Sequence, residues 1–183
     1  PVAIPAASIL LTACGRGANP DPSSRSSTTT SAPAPTVSVP PTTAGPTIDP
    51  NLPASARAHT PAGAEAFVRY FYSQLNVAWS KPQTGLISGL SARTCKTCAV
   101  LEGTAADLAA KRPHYRGEVL AVKTIGSLGE SEVLVVGVQP LGAVIDINGA
   151  VVKSGTKVPI LKFVTTLAWS SYGLHVQEIR VRK

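Results

Sequence analysis

Between Asn19 and Pro50, 21 of 32 residues are Ser, Thr or Pro, and none is aromatic. A stretch of that composition cannot bury enough apolar area to offset its ordering entropy, so it predicts a disordered tether. Any folded domain is thereby confined to the C-terminal side of this stretch, and the expected boundaries are 14–56 for Cys14 with the tether and 57–183 for the domain. At ~3.1 Å per residue, about 40 tether residues reach on the order of 100 Å at most. The 127 residues of the domain are enough to bury a core without staples.

The segment ahead of the tether narrows the setting. Val2 to Ala13 is a run of twelve uncharged, mostly apolar residues. That suits the h-region of a secretory signal and is too short to cross a bilayer, which needs ~20 apolar residues. No run in the chain approaches that length, which excludes a polytopic membrane protein. The chain contains no Met, not even at position 1. Residues 1–13 are therefore expected to be a signal peptide that has lost its charged start. The run ends in Leu11-Thr12-Ala13-Cys14-Gly15, which resembles a bacterial lipobox. The implied chemistry is a lipid on the Cys14 thiol and cleavage between Ala13 and Cys14. Each buried CH₂ of an acyl chain contributes about 0.8 kcal/mol, so two or three chains hold a protein stably. The expected location is extracytoplasmic, at the outer face of the plasma membrane.

In the domain, Thr60 is a good N-cap and Pro61 suits the first helical position. Apolar residues from Ala64 through Phe67, Val68, Phe71, Leu75 and Ala78 to Trp79 recur at spacings of three and four. They predict a helix of about twenty residues ending near Ser80. A second helix is expected from near Cys95 to before Pro113. Beyond it come runs rich in Val, Ile, Leu and Thr: 115–125, 132–140, 143–147, 150–153, 158–169 and 174–182. Asn148-Gly149 between two of them signals a hairpin. Leu161, Phe163, Leu167 and Trp169 alternate with Lys162, Val164, Thr166 and Ala168, which sets one face inward. Helices followed by a strand meander make an α+β fold, with the long and the shorter helix packed on one curved antiparallel sheet in a cone-like arrangement.

The lipobox, the tether and the run Ala62-Gly63-Ala64-Glu65-Ala66-Phe67-Val68-Arg69-Tyr70-Phe71 together resemble an actinobacterial lipoprotein family, catalogued as domain of unknown function 6318. Leu90-Ser91 leading to Cys95-Lys96-Thr97-Cys98 is similar to it too, as are Val158-Pro159, Leu167-Ala168-Trp169 and Gly173 to Val176. The resemblance implies an extracytoplasmic lipoprotein with a cone fold like that of nuclear transport factor 2 or cystatin. It implies no activity. One position departs from the pattern: His175 stands where an aromatic residue, usually Trp, is expected.

Chemistry-bearing residues are few. Cys95 and Cys98 at a helix start have the spacing of a redox motif, but no βαβ unit precedes them. Zinc needs four ligands, and the three histidines show no ligand spacing. In an oxidising envelope a structural disulfide is the plain expectation. Phe67, Tyr70, Phe71 and Trp79 are either core or the wall of a cavity for a small apolar or lipidic ligand. Asp107, Glu118, Asp146 and His175 form no recognisable acid–base pair, and no G-x-S-x-G occurs. Neither an enzyme nor a cofactor is expected. From Arg57 on, 15 Lys and Arg face 8 Asp and Glu. Lys153, Lys157, Lys162, Arg180 and Arg182 suggest a basic patch toward anionic headgroups or wall polymers, not nucleic acid. A non-enzymatic module binding an envelope protein or wall polymer is the leading expectation. A ligand carrier and a thiol oxidoreductase are the alternatives.

Overall fold

Thr60 accepts a hydrogen bond from the Gly63 N–H at 3.0 Å through its hydroxyl, and with Pro61 in the first turn it starts helix α1, Pro61–Ser80. The computed structural model describes residues 49–182. The α1 stripe Ala64, Phe67, Val68, Phe71, Tyr72, Leu75 and Ala78 is buried, as the spacing predicts. Gly63 is needed on this helix, because a Cβ there would run into the Ala58 carbonyl. Helix α2, Lys96–Lys111, is capped by Cys95, whose sulfur accepts from the Cys98 N–H. It ends at Arg112, which takes the left-handed conformation (φ 66°) just before Pro113.

Seven strands come next: β1 His114–Arg116, β2 Ala121–Ser127, β3 Glu132–Gln139, β4 Ala143–Ile145, β5 Val151–Ser154, β6 Val158–Ser170 and β7 Gly173–Val181. The class is α+β, with both helices packed on antiparallel strands. The strands make two sheets, however, not the single one expected: β2-β3-β6-β7 and β1-β4-β5. The run 115–125 does not stay one strand. It breaks after Arg116 at Gly117, whose φ of 106° turns the chain out of the first sheet before the second begins. The Asn148-Gly149 turn does close a hairpin, β4–β5, with Gly149 at φ 83°. There one Asp146 carboxylate oxygen accepts from the Asn148 and Ala150 N–H groups.

Core register comes from β3, β6 and β7 under α1. Val133 and Val135 of β3 are fully buried, and so is Thr165 of β6, which shares its face with Phe163 and Leu167. Thr165 is tolerated in the core because its hydroxyl is 3.1 Å from that of Tyr72. In β7, Leu174, Val176 and Ile179 are all buried although their spacing is two and then three. A bulge explains it: Thr166 pairs with Glu178 and Leu167 with Val176, leaving Gln177 unpaired. Asn76 ties α1 to the segment before β2. Its side-chain oxygen accepts from the Val119 and Leu120 N–H groups, and its amide donates to the Leu120 carbonyl.

The packed part begins earlier than residue 57. Leu52 and Ala56 are buried, and the short 3-10 turn Ala54–Arg57 lies against α1. Two apolar side chains suffice to draw this segment onto the helix, although its sequence reads as a continuation of the tether.

Candidate functional site

The segment from Ser88 to Arg93 runs alongside β7, and the space left at that end of the domain is a cleft of about 500 Å³. Leu52, Leu90 and Leu174 form its buried floor, with Phe67 beneath them. Arg93, Tyr172 and His175 stand on its rim. That volume lies within the roughly 300–1,000 Å³ of small-molecule sites, which pair an apolar lining with a few placed polar groups.

Each wall is held by hydrogen bonds that the local sequence supplies. Ser91 pairs with Val176 in a parallel bridge, and the Ala92 N–H donates to the Val176 carbonyl at 2.8 Å. Behind that wall the Glu102 carboxylate of α2 accepts from the Gly85, Ile87 and Ser88 N–H groups. The Cys95 N–H donates to the Ala92 carbonyl, joining the wall to the disulfide turn. On the other side, Tyr70 donates its hydroxyl proton to Asp49 at 2.8 Å, and Arg57 donates to the Leu52 and Pro50 carbonyls. Burial first, and then the Asp49 hydrogen bond and charge, push the Tyr70 phenol up to about 12. Tyr70 therefore stays a proton donor to Asp49 at any physiological pH. Arg93 is exposed and has no ion-pair partner among the described residues, so its guanidinium faces the cleft mouth uncompensated by a salt bridge.

The residues singled out in the sequence fall in several places. Ala13 and Cys14 lie outside the described residues. The Cys95 and Cys98 sulfurs are 2.03 Å apart, a disulfide, and each residue is only 1% exposed. Of the four aromatics considered for a cavity, only Phe67 reaches the cleft. Phe71 is fully buried in the core, and Trp79 spends its indole N–H on the Leu101 carbonyl. The space between α1 and the sheet is filled by side chains, which moves the open volume to the end of the domain. The five basic residues fall on several elements. Lys153 belongs to β5 of the small sheet and Lys157 to the loop after it, while Lys162, Arg180 and Arg182 lie on or beside β6 and β7. Arg180 is engaged with Glu132 at 2.6 Å and Glu178 at 3.5 Å. His59 stacks on Trp169. Asp107 pairs with Lys111, and Asp146 is held in its turn; neither is hydrogen-bonded to His175. Among the described residues no three His, Cys, Asp or Glu gather as metal ligands would.

Sequence reasoning missed Arg93, Tyr172 and the Leu52 wall. All three sit in turns or at segment ends with no periodicity to mark them. The one signal was His175, singled out in the sequence, which lies on the cleft rim.

No family model and no curated protein matches the chain. Among solved structures, it is similar to the intermembrane space region of the chloroplast protein ARC6, at 14% identity over 68% of this chain and 97% of that one, with a TM-score of 0.48. It is also similar to a chain from Xanthomonas campestris described as a calcium/calmodulin dependent protein kinase II association domain. There the identity is 16%, over 68% of this chain and 91% of that one, with a TM-score of 0.38. Neither likeness is close enough to carry a function across.

Proposed function

We propose that the chain is an envelope lipoprotein, held at the outer face of the plasma membrane through Cys14, whose domain is a non-catalytic binding module. The observation that carries the binding reading is the cleft: an apolar floor under a rim bearing Arg93 and His175. Such a site suits an amphipathic target, with its apolar part on Leu52 and Leu174 and an anionic group toward Arg93. The target is either a loosely held small molecule or a segment of an envelope protein or wall polymer. The lipobox Leu11–Cys14 and the Ser/Thr/Pro tether support the anchored location. The oxidoreductase reading is disfavoured, because Cys95 and Cys98 are each only 1% exposed, as a structural disulfide is.

Native mass spectrometry of the full chain extracted from a bacterial envelope tests the cleft. Wild type should carry bound mass that disappears on denaturation, and Arg93→Glu should lose it while its circular dichroism stays unchanged. Bound mass that persists in Arg93→Glu and in Leu174→Arg would remove the cleft from consideration. A bare wild-type chain would turn the search to protein and polymer targets, captured by a photo-crosslinker placed at Tyr172.

A further inference from the structure

The β4–β5 hairpin carries aliphatic side chains that nothing covers. Ile147 is 71% exposed, Val151 50% and Val152 59%. All four β5 residues are exposed, so both faces of the strand meet solvent. Its outer edge has no strand partner among the described residues, because β5 ends the order β1-β4-β5. At the base of the hairpin the Gly155 N–H donates to the Gly142 carbonyl, and Leu141 beside it is 72% exposed. The chain that follows the turn, as far as Gln177, carries basic charges only. From Ile147 through Gln177 there is no Asp or Glu, while Lys153, Lys157 and Lys162 fall within that span. One acid, Asp146, lies in the turn itself, with its carboxylate held by the Asn148 and Ala150 amides.

We propose that the β4–β5 hairpin tip is a lipid-docking element that enters the headgroup layer of an anionic bilayer. Ile147, Val151 and Val152 would pass between the acyl chains' upper ends. Lys153 and Lys157 lie behind them, where their long stems let the ammonium groups reach phosphates. A protein partner pairing along the β5 edge would cover that edge and leave both side-chain faces wet. A lipid surface accepts exposed aliphatic side chains on both faces of β5 and sets the lysines against its phosphates. The Cys14 anchor of the proposed function supplies the reason a bilayer is at hand, but the docking itself does not need it.

The test uses the full chain carrying Cys14→Ser, so that lipidation plays no part. Hydrogen–deuterium exchange is followed with vesicles of mixed phosphatidylglycerol and phosphatidylcholine, with vesicles of phosphatidylcholine alone, and without lipid. Amides of residues 147–154 should slow only on the phosphatidylglycerol vesicles. Lys153→Glu with Lys157→Glu should abolish that protection. Vesicle partition should fall by more than about 25-fold, since each lysine charge lost is worth roughly fivefold and each added carboxylate is repelled as well. Val151→Ser with Val152→Ser should also lose the protection, with exchange in α1 unchanged as evidence of an intact fold. Exchange that ignores the lipid would overturn the proposal, as would equal protection on neutral vesicles. Protection that appears without lipid and grows with protein concentration would mean a second copy pairing on β5, and would overturn it too. Lipid attachment to wild-type Cys14 is read separately, from the intact mass, so the two proposals fail independently.

Discussion

The two sheets are written in the same residues and meet different fates. In the four-stranded sheet, Val133 and Val135 of β3 and Val176 of β7 are fully buried in the core beneath the helices. In the three-stranded sheet, Val151 and Val152 are β-branched neighbours of the same kind, and both stand in solvent. Ala143 and Ile145 of β4 are buried, so the small sheet is anchored on one strand and bare on the next. β-Branched composition makes a strand; whether the strand becomes core depends on what lies across from it.

The sharpest way to break the comparison is to empty the covered side. Phe71→Ala removes a fully buried ring from under α1 and should cost about 3–5 kcal/mol, read from urea or guanidinium melts. A loss below about 1 kcal/mol would mean that the helix–sheet layer is loosely filled. A smaller effect is expected at the polar contact across the same layer. Tyr72→Phe removes the hydroxyl facing Thr165 and should cost about 1 kcal/mol. The same residue gives the layer a pH signature. Burial pushes the Tyr72 phenol up to about 12 from its usual 10, although the Thr165 hydrogen bond pulls the other way. The folded state therefore favours the neutral phenol. Its contribution is fully present below pH 10 and is lost as pH rises through about 12. Alkaline melts should show wild-type stability falling above pH 10, with a shallower fall in Tyr72→Phe. The smallest effect belongs to the uncovered side: Val152→Ser should change stability by less than about 0.5 kcal/mol. A large loss there would show that β5 has a covering partner in solution.

Which parts were legible in the sequence depends on range. The Thr60-Pro61 cap, the three-and-four spacing of α1 and the Asn148-Gly149 turn act over a few residues, and the structure has each where the sequence puts it. Three other features depend on partners distant in the chain. Thr165 falls on the inward face by alternation, but what satisfies its hydroxyl there shows only once Tyr72 is placed opposite it. Gln177 is visible as a bulge only once Leu167 has paired with Val176. The break at Gly117 shows only when β1 is seen to pair with β4 instead of running on into β2. The cleft was the least legible feature, because it is bounded by three segments that turn and do not repeat.

One of those segments gives the cleft a mechanical role. Residues Asp49 to Arg57 form one wall and are also where the chain from the N-terminal side enters the domain. A pull transmitted along the chain from that side is borne first by the Tyr70–Asp49 bond and by the grip of Arg57 on the Leu52 carbonyl, before it reaches α1. The load path thus runs through the site itself: tension that parts these bonds would open the cleft while the hydrophobic layer behind it still holds.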